Sequence, residues 1–189
     1  MKVLIVGSQG FIGSNLVRSF KEDGNEVLGI TSGKGISNLL SYSNDTDIDI
    51  KALSETLLTF NPDVCINASG PGSVAASFEN KSRDFKINVV NVYTLLDTIK
   101  STHCKCKFVN LSSAAVYGDA VADRISESHS INPQSPYGFH KYLGENICLL
   151  FHTMHQIPTV SLRMFSVYGP GLKRNCFGIS IKKASTIKS

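Results

Sequence analysis

Short, uninterrupted apolar runs alternate along this chain with longer segments in which apolar side chains recur every three or four positions. The first run, Val3-Leu4-Ile5-Val6, has no polar interruption, as expected of a strand covered on both faces. Similar runs predict strands near 26–31, 63–67, 106–111 and 159–164, with a weaker one near 47–49. The periodic segments predict helices near 11–22, 51–60, 83–101 and 136–155. In the first helix Phe11, Ile12, Leu16, Val17 and Phe20 form one apolar stripe. Asn61-Pro62 closes the second, because proline disfavours helix at the residue before it. The polar, turn-rich stretch 32–44 reads as a loop. Alternation of this kind predicts an α/β fold, a doubly wound parallel sheet.

Composition changes this picture little. The 189 residues are 42% hydrophobic with a mean hydropathy of +0.01, enough for one domain with a sizeable core. No apolar run approaches the ~18 residues needed to cross a bilayer, so no membrane association is expected. The apolar N-terminus is also shorter than the ~7–15 residues of a secretory h-region. The net charge of +4 comes from the tail, because Lys173, Arg174, Lys182, Lys183 and Lys188 follow residue 172 with no acid among them. Residues 1–172 carry 14 basic and 15 acidic side chains, which removes the basic face that nucleic acid would require. The five cysteines lack zinc-ligand spacing, so no metal is expected, and they read as free thiols of a reducing cytoplasm.

The chemistry begins at Gly7-Ser8-Gln9-Gly10-Phe11-Ile12-Gly13, directly after the first strand and opening the first helix. Glycines there allow a tight turn and close backbone approach to a pyrophosphate, while the helix N-terminus offers free amides and partial positive charge. Tyr137-Gly138-Phe139-His140-Lys141 places a phenol and an ammonium on one helix face. A hydroxyl run, Ser112-Ser113, ends a strand 24 residues before Tyr137. A neighbouring lysine is expected to lower a phenol's pKa toward working pH.

With Gly-x-x-Gly-x-x-Gly, Leu111-Ser112-Ser113-Ala114-Ala115-Val116-Tyr117-Gly118, Pro136-Tyr137-Gly138, Glu145 and Phe165-Ser166-Val167-Tyr168-Gly169-Pro170-Gly171, the chain resembles the extended short-chain dehydrogenase/reductase family, in its UDP-galactose 4-epimerase branch. The resemblance runs from residue 1 to about residue 172 and implies an NAD- or NADP-binding Rossmann domain with Ser113, Tyr137 and Lys141 as catalytic residues. It implies cofactor contacts from Gly7, Gly10, Phe11, Ile12 and Gly13, from Thr31 and Ser32 after the second strand, and from Asp47 and Ile48 near the adenine. Ala68, Ser69 and Gly70 would lie beneath the dinucleotide, Asn88 would support the site's backbone, and Phe165 would approach the nicotinamide. Ser113, Tyr137 and Ser166 would meet a nucleotide-sugar substrate. The helices at 83–101 and 136–155 would form a homodimer interface.

Departures from the family pattern refine these expectations. No acid ends the second strand, and Lys34 follows, which tilts the cofactor toward NADP and leaves the choice open. Two alanines after Ser113 replace the Asp-Glu pair of sugar dehydratases, leaving an epimerase, a 4-keto-reductase or an inactive cofactor-binding protein. Ser166 stands where epimerases have an asparagine, and His140 where a small residue is common. Residues 173–189, aperiodic and acid-free, read as an irregular basic tail. Most of the family's substrate domain would be missing, as a truncated or frameshifted product explains.

Overall fold

The computed structural model describes residues 1–32, 39–42, 48–70, 72–119, 124–169 and 172. Six parallel strands, β1 (Lys2–Val6), β2 (Glu26–Ser32), β3 (Leu39–Tyr42), β4 (Val64–Asn67), β5 (Lys107–Ser113) and β6 (Thr159–Met164), form one sheet in the order 3-2-1-4-5-6. This is the strand order of a Rossmann fold, which reverses beside β1 and opens a crevice at the carboxyl ends of the strands. The helices are α1 (Phe11–Glu22), α2 (Ile50–Phe60), α3 (Val74–Glu79), α4 (Lys81–Phe85), α5 (Asn91–Ser101) and α6 (Pro136–His155). A π-helical segment, Lys86–Val90, joins α4 to α5, and a 3₁₀ turn, Ala114–Tyr117, follows β5.

The pleat of β1 sorts the core into two layers. Val3 and Ile5, both fully buried, face α1 through Leu16, Val17 and Phe20. Leu4 and Val6 face the larger layer, with Leu53 and Leu57 of α2, Leu95, Leu96 and Ile99 of α5, and Phe151 of α6. Helices therefore cover both faces, which is why β1 tolerates no polar residue.

Several elements depart from the sequence pattern. The edge strand β3 lies in the stretch expected to be a loop, where interspersed serines dilute the apolar signal of Leu39, Leu40 and Tyr42. The strand expected near 47–49 is absent at its described residues. There Asp49 caps α2, its carboxylate accepting from the Ala52 amide at 3.0 Å. The alternation Asp47-Ile48-Asp49-Ile50 imitates a strand, but Asp49 is a helix start signal in that context. The long helix expected over 83–101 is three pieces, and α3 precedes it. Asn61 closes α2 in the left-handed conformation as the proline-based boundary anticipates.

Candidate active site

The glycine turn is built by close packing. Gly7 has φ +82°, and a Cβ on it would stand 2.7 Å from the Ala68 carbonyl oxygen. A Cβ on Gly13 would stand 2.1 Å from the Gly7 oxygen, so the helix start presses directly on the turn. The Gly7 and Ser8 amides both donate to Ile30 O, at 2.8 and 3.1 Å, tying the turn to the end of β2. Gly10 caps α1 without a side chain, and the first turn holds no acid. Phe11 and Ile12 in that turn are half-buried. An uncapped twelve-residue helix whose terminus stands at the sheet's crevice suits an anionic group.

Three other stretches adjoin this turn. Thr31 is buried at the end of β2, and Ser32 is that strand's last residue. Ala68 and Ser69 lie against Gly7, Ser69 Oγ donating to Asn67 Oδ1 at 2.5 Å. Gly70, at φ +113°, comes within 2.9 Å of Asn88 Oδ1 through its Cβ position. Ile48 is half-buried against the larger core layer, whereas Asp47 and Lys34 lie outside the described residues. Gly169, after β6, brings its Cβ position within 3.8 Å of Phe11.

The proposed reacting groups come from β5 and α6. Ser113 is the last residue of β5 and caps the 3₁₀ turn, its Oγ accepting from the Ala115 amide at 3.2 Å. Ser135 caps α6 through the Gly138 amide at 3.1 Å, and Pro136 fills the first helical position. Tyr137 then falls in the first turn, its amide donating to Ser77 Oγ at 3.2 Å. Gly138 allows this approach: a Cβ there would lie 2.5 Å from the Ala115 carbonyl oxygen. The Tyr137 side chain is consequently brought close enough to the Ser113 hydroxyl for that group to pull its pKa down. Lys141 Nζ lies 5.7 Å from the centre of the Tyr137 ring and donates to Leu111 O at 2.8 Å.

Electrostatics here differ from the expectation that Lys141 lowers the Tyr137 pKa. Burial raises it, the Ser113 hydroxyl pulls it down, and the Asp84 charge adds to the rise. It is the lysine that is lowered, to about 8, because burial disfavours its ammonium more than Asp84 supports it. Lys141 is 7% exposed and its Nζ is turned to the Leu111 carbonyl, so its charge is spent there and costs desolvation.

Several neighbours carry no motif in the sequence. Asp84, 2% exposed, receives His140 Nδ1 at 2.6 Å on Oδ2, while its Oδ1 has no partner. Both amide atoms of Asn88 are buried without partners, and a Cβ on Gly144 of α6 would lie 2.8 Å from the Asn88 carbonyl. Asn67 Nδ2 donates to Asn110 Oδ1 at 3.0 Å, joining β4 to β5 beneath the cleft. Ser77 and the Asn67–Asn110 pair became visible only through contacts distant in sequence. Phe165 is exposed and stacks on Tyr117 at 6.4 Å, and Ser166 follows it, also exposed. Two hollows of about 300 and 410 Å³ around Met1, Asn61 and Asp63 hold none of these groups.

The structure thus joins Ser113, Tyr137 and Lys141, and links them through Asn88, Gly70 and Ser69 to the glycine turn. The tail 173–189 lies outside the described residues. Residues 3–185 match the model of the NAD dependent epimerase/dehydratase family. The putative UDP-glucose 4-epimerase of Methanocaldococcus jannaschii is 32% identical over 171 residues, 88% of this chain and 56% of that protein. The UDP-glucose 4-epimerase of Mycolicibacterium smegmatis is 30% identical over 180 residues, 90% of this chain and 57% of that one. Among solved structures, UDP-glucuronic acid 4-epimerase from Bacillus cereus, in complex with UDP-glucuronic acid and NAD, is similar with a TM-score of 0.84. It is 30% identical, over 98% of this chain and 63% of that one. The Thermus thermophilus UDP-glucose 4-epimerase complex with NAD gives 0.84 and 27%, over 97% and 61%. The chain spans little more than half the length of the curated relatives it matches.

Proposed function

Because the chain belongs to the NAD-dependent epimerase/dehydratase family, we propose that it carries the dinucleotide-binding and catalytic elements of a nucleotide-sugar epimerase that works by transient oxidation of a sugar hydroxyl. The observation that supports this most is the meeting of Ser113, Tyr137 and Lys141 at the carboxyl edge of the sheet, linked by packing to an uncapped glycine-turn helix.

The residues fit a dinucleotide. The acid-free first turn of α1 offers its amides to the pyrophosphate, Gly7, Gly10 and Gly13 keep side chains out of the way, and Ala68, Ser69 and Gly70 floor the cleft. We read the cofactor as NAD rather than NADP, since similar solved structures are NAD complexes. When bound, the nicotinamide supplies a reversible hydride acceptor. In its ionised form Tyr137 would take the proton of the sugar hydroxyl and later return it, while Ser113 would hydrogen-bond the same oxygen. Lys141, held by Leu111 O, orients the cofactor ribose. Ser166 and Phe165, at the exit of β6, contact the substrate and nicotinamide sides. Ala114 and Ala115, adjoining Ser113, supply no acid or base, so elimination of water is not served here.

Exposed apolar side chains give the proposed homodimer its surface. Phe139, Leu143, Leu150 and Met154 fall within one stripe of α6, beside exposed Val90 and Tyr93.

Incubating the chain with NAD and UDP-, GDP- or dTDP-sugars, with sugar stereochemistry followed by NMR, tests the reading. Interconversion of two epimers that Tyr137→Phe abolishes, with NAD still bound, supports it. No change with any sugar while NAD binds overturns it in favour of a cofactor-binding protein without epimerase activity.

A further inference from the structure

Three segments bearing the proposed catalytic and substrate-side residues converge on one carboxylate. Glu145 lies one turn beyond Lys141 on α6, with its side chain 10% exposed. Its Oε1 accepts from Ser112 Oγ at 2.5 Å, immediately before Ser113. Arg163 of β6, two residues before Phe165, grips the same group: Nη2 donates to Oε2 at 2.8 Å and Nε to Oε1 at 3.0 Å. The remaining arm of the guanidinium, Nη1, donates to Tyr117 Oη at 2.8 Å and to Glu127 O at 3.1 Å. Its central carbon sits 4.9 Å from the centre of the Tyr117 ring, and Tyr117 in turn stacks on Phe165.

An ion pair kept for stability alone needs no such arrangement, because a partly buried pair contributes little over an apolar replacement. What distinguishes this one is its connectivity. The planar fork of Arg163 addresses three segments at once, which a lysine's point charge cannot do. The 3₁₀ turn, the loop before α6 and α6 itself are held to β6 directly, and the end of β5 through Glu145; Ser113, Lys141, Phe165 and Ser166 each lie within four positions of one of these contacts, and Tyr137 lies about two turns before Glu145 on the same helix.

We propose that Glu145 and Arg163 are positioning residues that set Ser113 against Tyr137 and register the β6 exit to both. The inference rests on the epimerase reading for which groups react, but the placement of Ser113 against Tyr137 can be followed without cofactor or sugar.

Ionisation of Tyr137 reports that placement, since Ser113 pulls the phenol down against its burial. The experiment follows phenolate absorbance against pH in the 189-residue chain, subtracting Tyr137→Phe. Ser113→Ala sets the scale, with a rise of the midpoint by about half a pH unit or more. Glu145→Gln and Arg163→Lys are expected to raise it similarly, and neither adds to the rise in the Ser113→Ala background. Ser112→Ala, which removes a single hydrogen bond, is expected to move it part of the way and serves if the charge variants do not fold. An unmoved midpoint in the folded variants, whatever their melting temperature, overturns the proposal. Absence of sugar turnover in the unsubstituted chain bears on the epimerase reading and leaves this result standing.

Discussion

His140 Nδ1 stands 2.6 Å from the Oδ2 of Asp84, one residue before Lys141 and four before the wholly buried Asn88. Because a carboxylate only accepts, the ring nitrogen carries the proton of this bond. The other carboxylate oxygen, Oδ1, is buried with no hydrogen-bond partner among the described residues. Removing the imidazole therefore strands a buried carboxylate, and His140→Ala is expected to cost on the order of 3 kcal/mol. Asp84→Asn keeps an acceptor for the same N–H and discards the buried charge, so it is expected to cost less than about 1 kcal/mol. Denaturant titration of the two variants checks the asymmetry, and equal losses would contradict it.

Lys141 gives a pH-dependent prediction. Its folded pKa, about 8, lies below the ordinary 10.5. Below pH 8 the lysine is charged in both states, and the folded state bears the whole desolvation cost, on the order of 3 kcal/mol. Between about 8 and 10.5 the unfolded chain binds more protons than the folded one, so stability from this group rises with pH. Lys141→Met should therefore exceed the natural chain in stability at neutral pH by about 1–2 kcal/mol, after the lost bond to Leu111 O is allowed for. The advantage should shrink as pH approaches 10. Chemical denaturation at both pH values measures it.

The glycine turn separates close approach from backbone strain. Gly13→Ala drives a methyl into the Gly7 carbonyl, 2.1 Å away, with only backbone available to yield. Its expected effect is a loss of NAD affinity of at least about tenfold and destabilisation of about 2 kcal/mol or more. Gly24→Ala is the comparison, because Gly24 has φ +76° with nothing within 4 Å. It should cost about 1 kcal/mol and leave NAD affinity alone. Isothermal titration with NAD, paired with melting, distinguishes them.

The apolar stripe on α6 predicts concentration-dependent association. Leu143→Glu with Leu150→Glu places two charges on residues 42% and 46% exposed, so the monomer fold should lose less than about 1 kcal/mol. Sedimentation velocity should show a dimer for the natural chain and a monomer for the double variant. Identical sedimentation would remove the stripe as an interface.

Much of this molecule was legible in its sequence wherever a single local force decided the outcome. The run Val3-Leu4-Ile5-Val6 could only be a covered strand, and the apolar periodicity over 136–155 anticipated α6 at the bounds it has. The spacing of Tyr137 and Lys141 anticipated their shared face, and the ring lies 5.7 Å from the ammonium. What escaped was decided by partners far along the chain. β3 exists because Leu39–Tyr42 finds β2, and nothing within those four residues announces it. The lowered lysine and raised tyrosine depend on how deeply α6 is buried and on Asp84, 57 and 53 positions upstream. Neither burial nor that carboxylate's approach can be read from spacing. Arg163 likewise looks like one charge in an edge strand until its fork is seen closing on Glu145.

The π-helical turn at Lys86–Val90 acts as a phase shifter in an otherwise regular rod. Each α-helical residue advances the rotation by about 100°, and a π turn accommodates one surplus residue. Upstream of it the rod aims Asp84 at His140; downstream it aims Leu95, Leu96 and Ile99 into the sheet's larger layer. Deleting any one residue between 86 and 90 would let the segment relax into an ordinary helix, but one end would then rotate away from its neighbours. A stretch that looks like a local irregularity thereby lets one helix serve two differently oriented clients, and it makes chain length in those five positions as binding a constraint as residue identity.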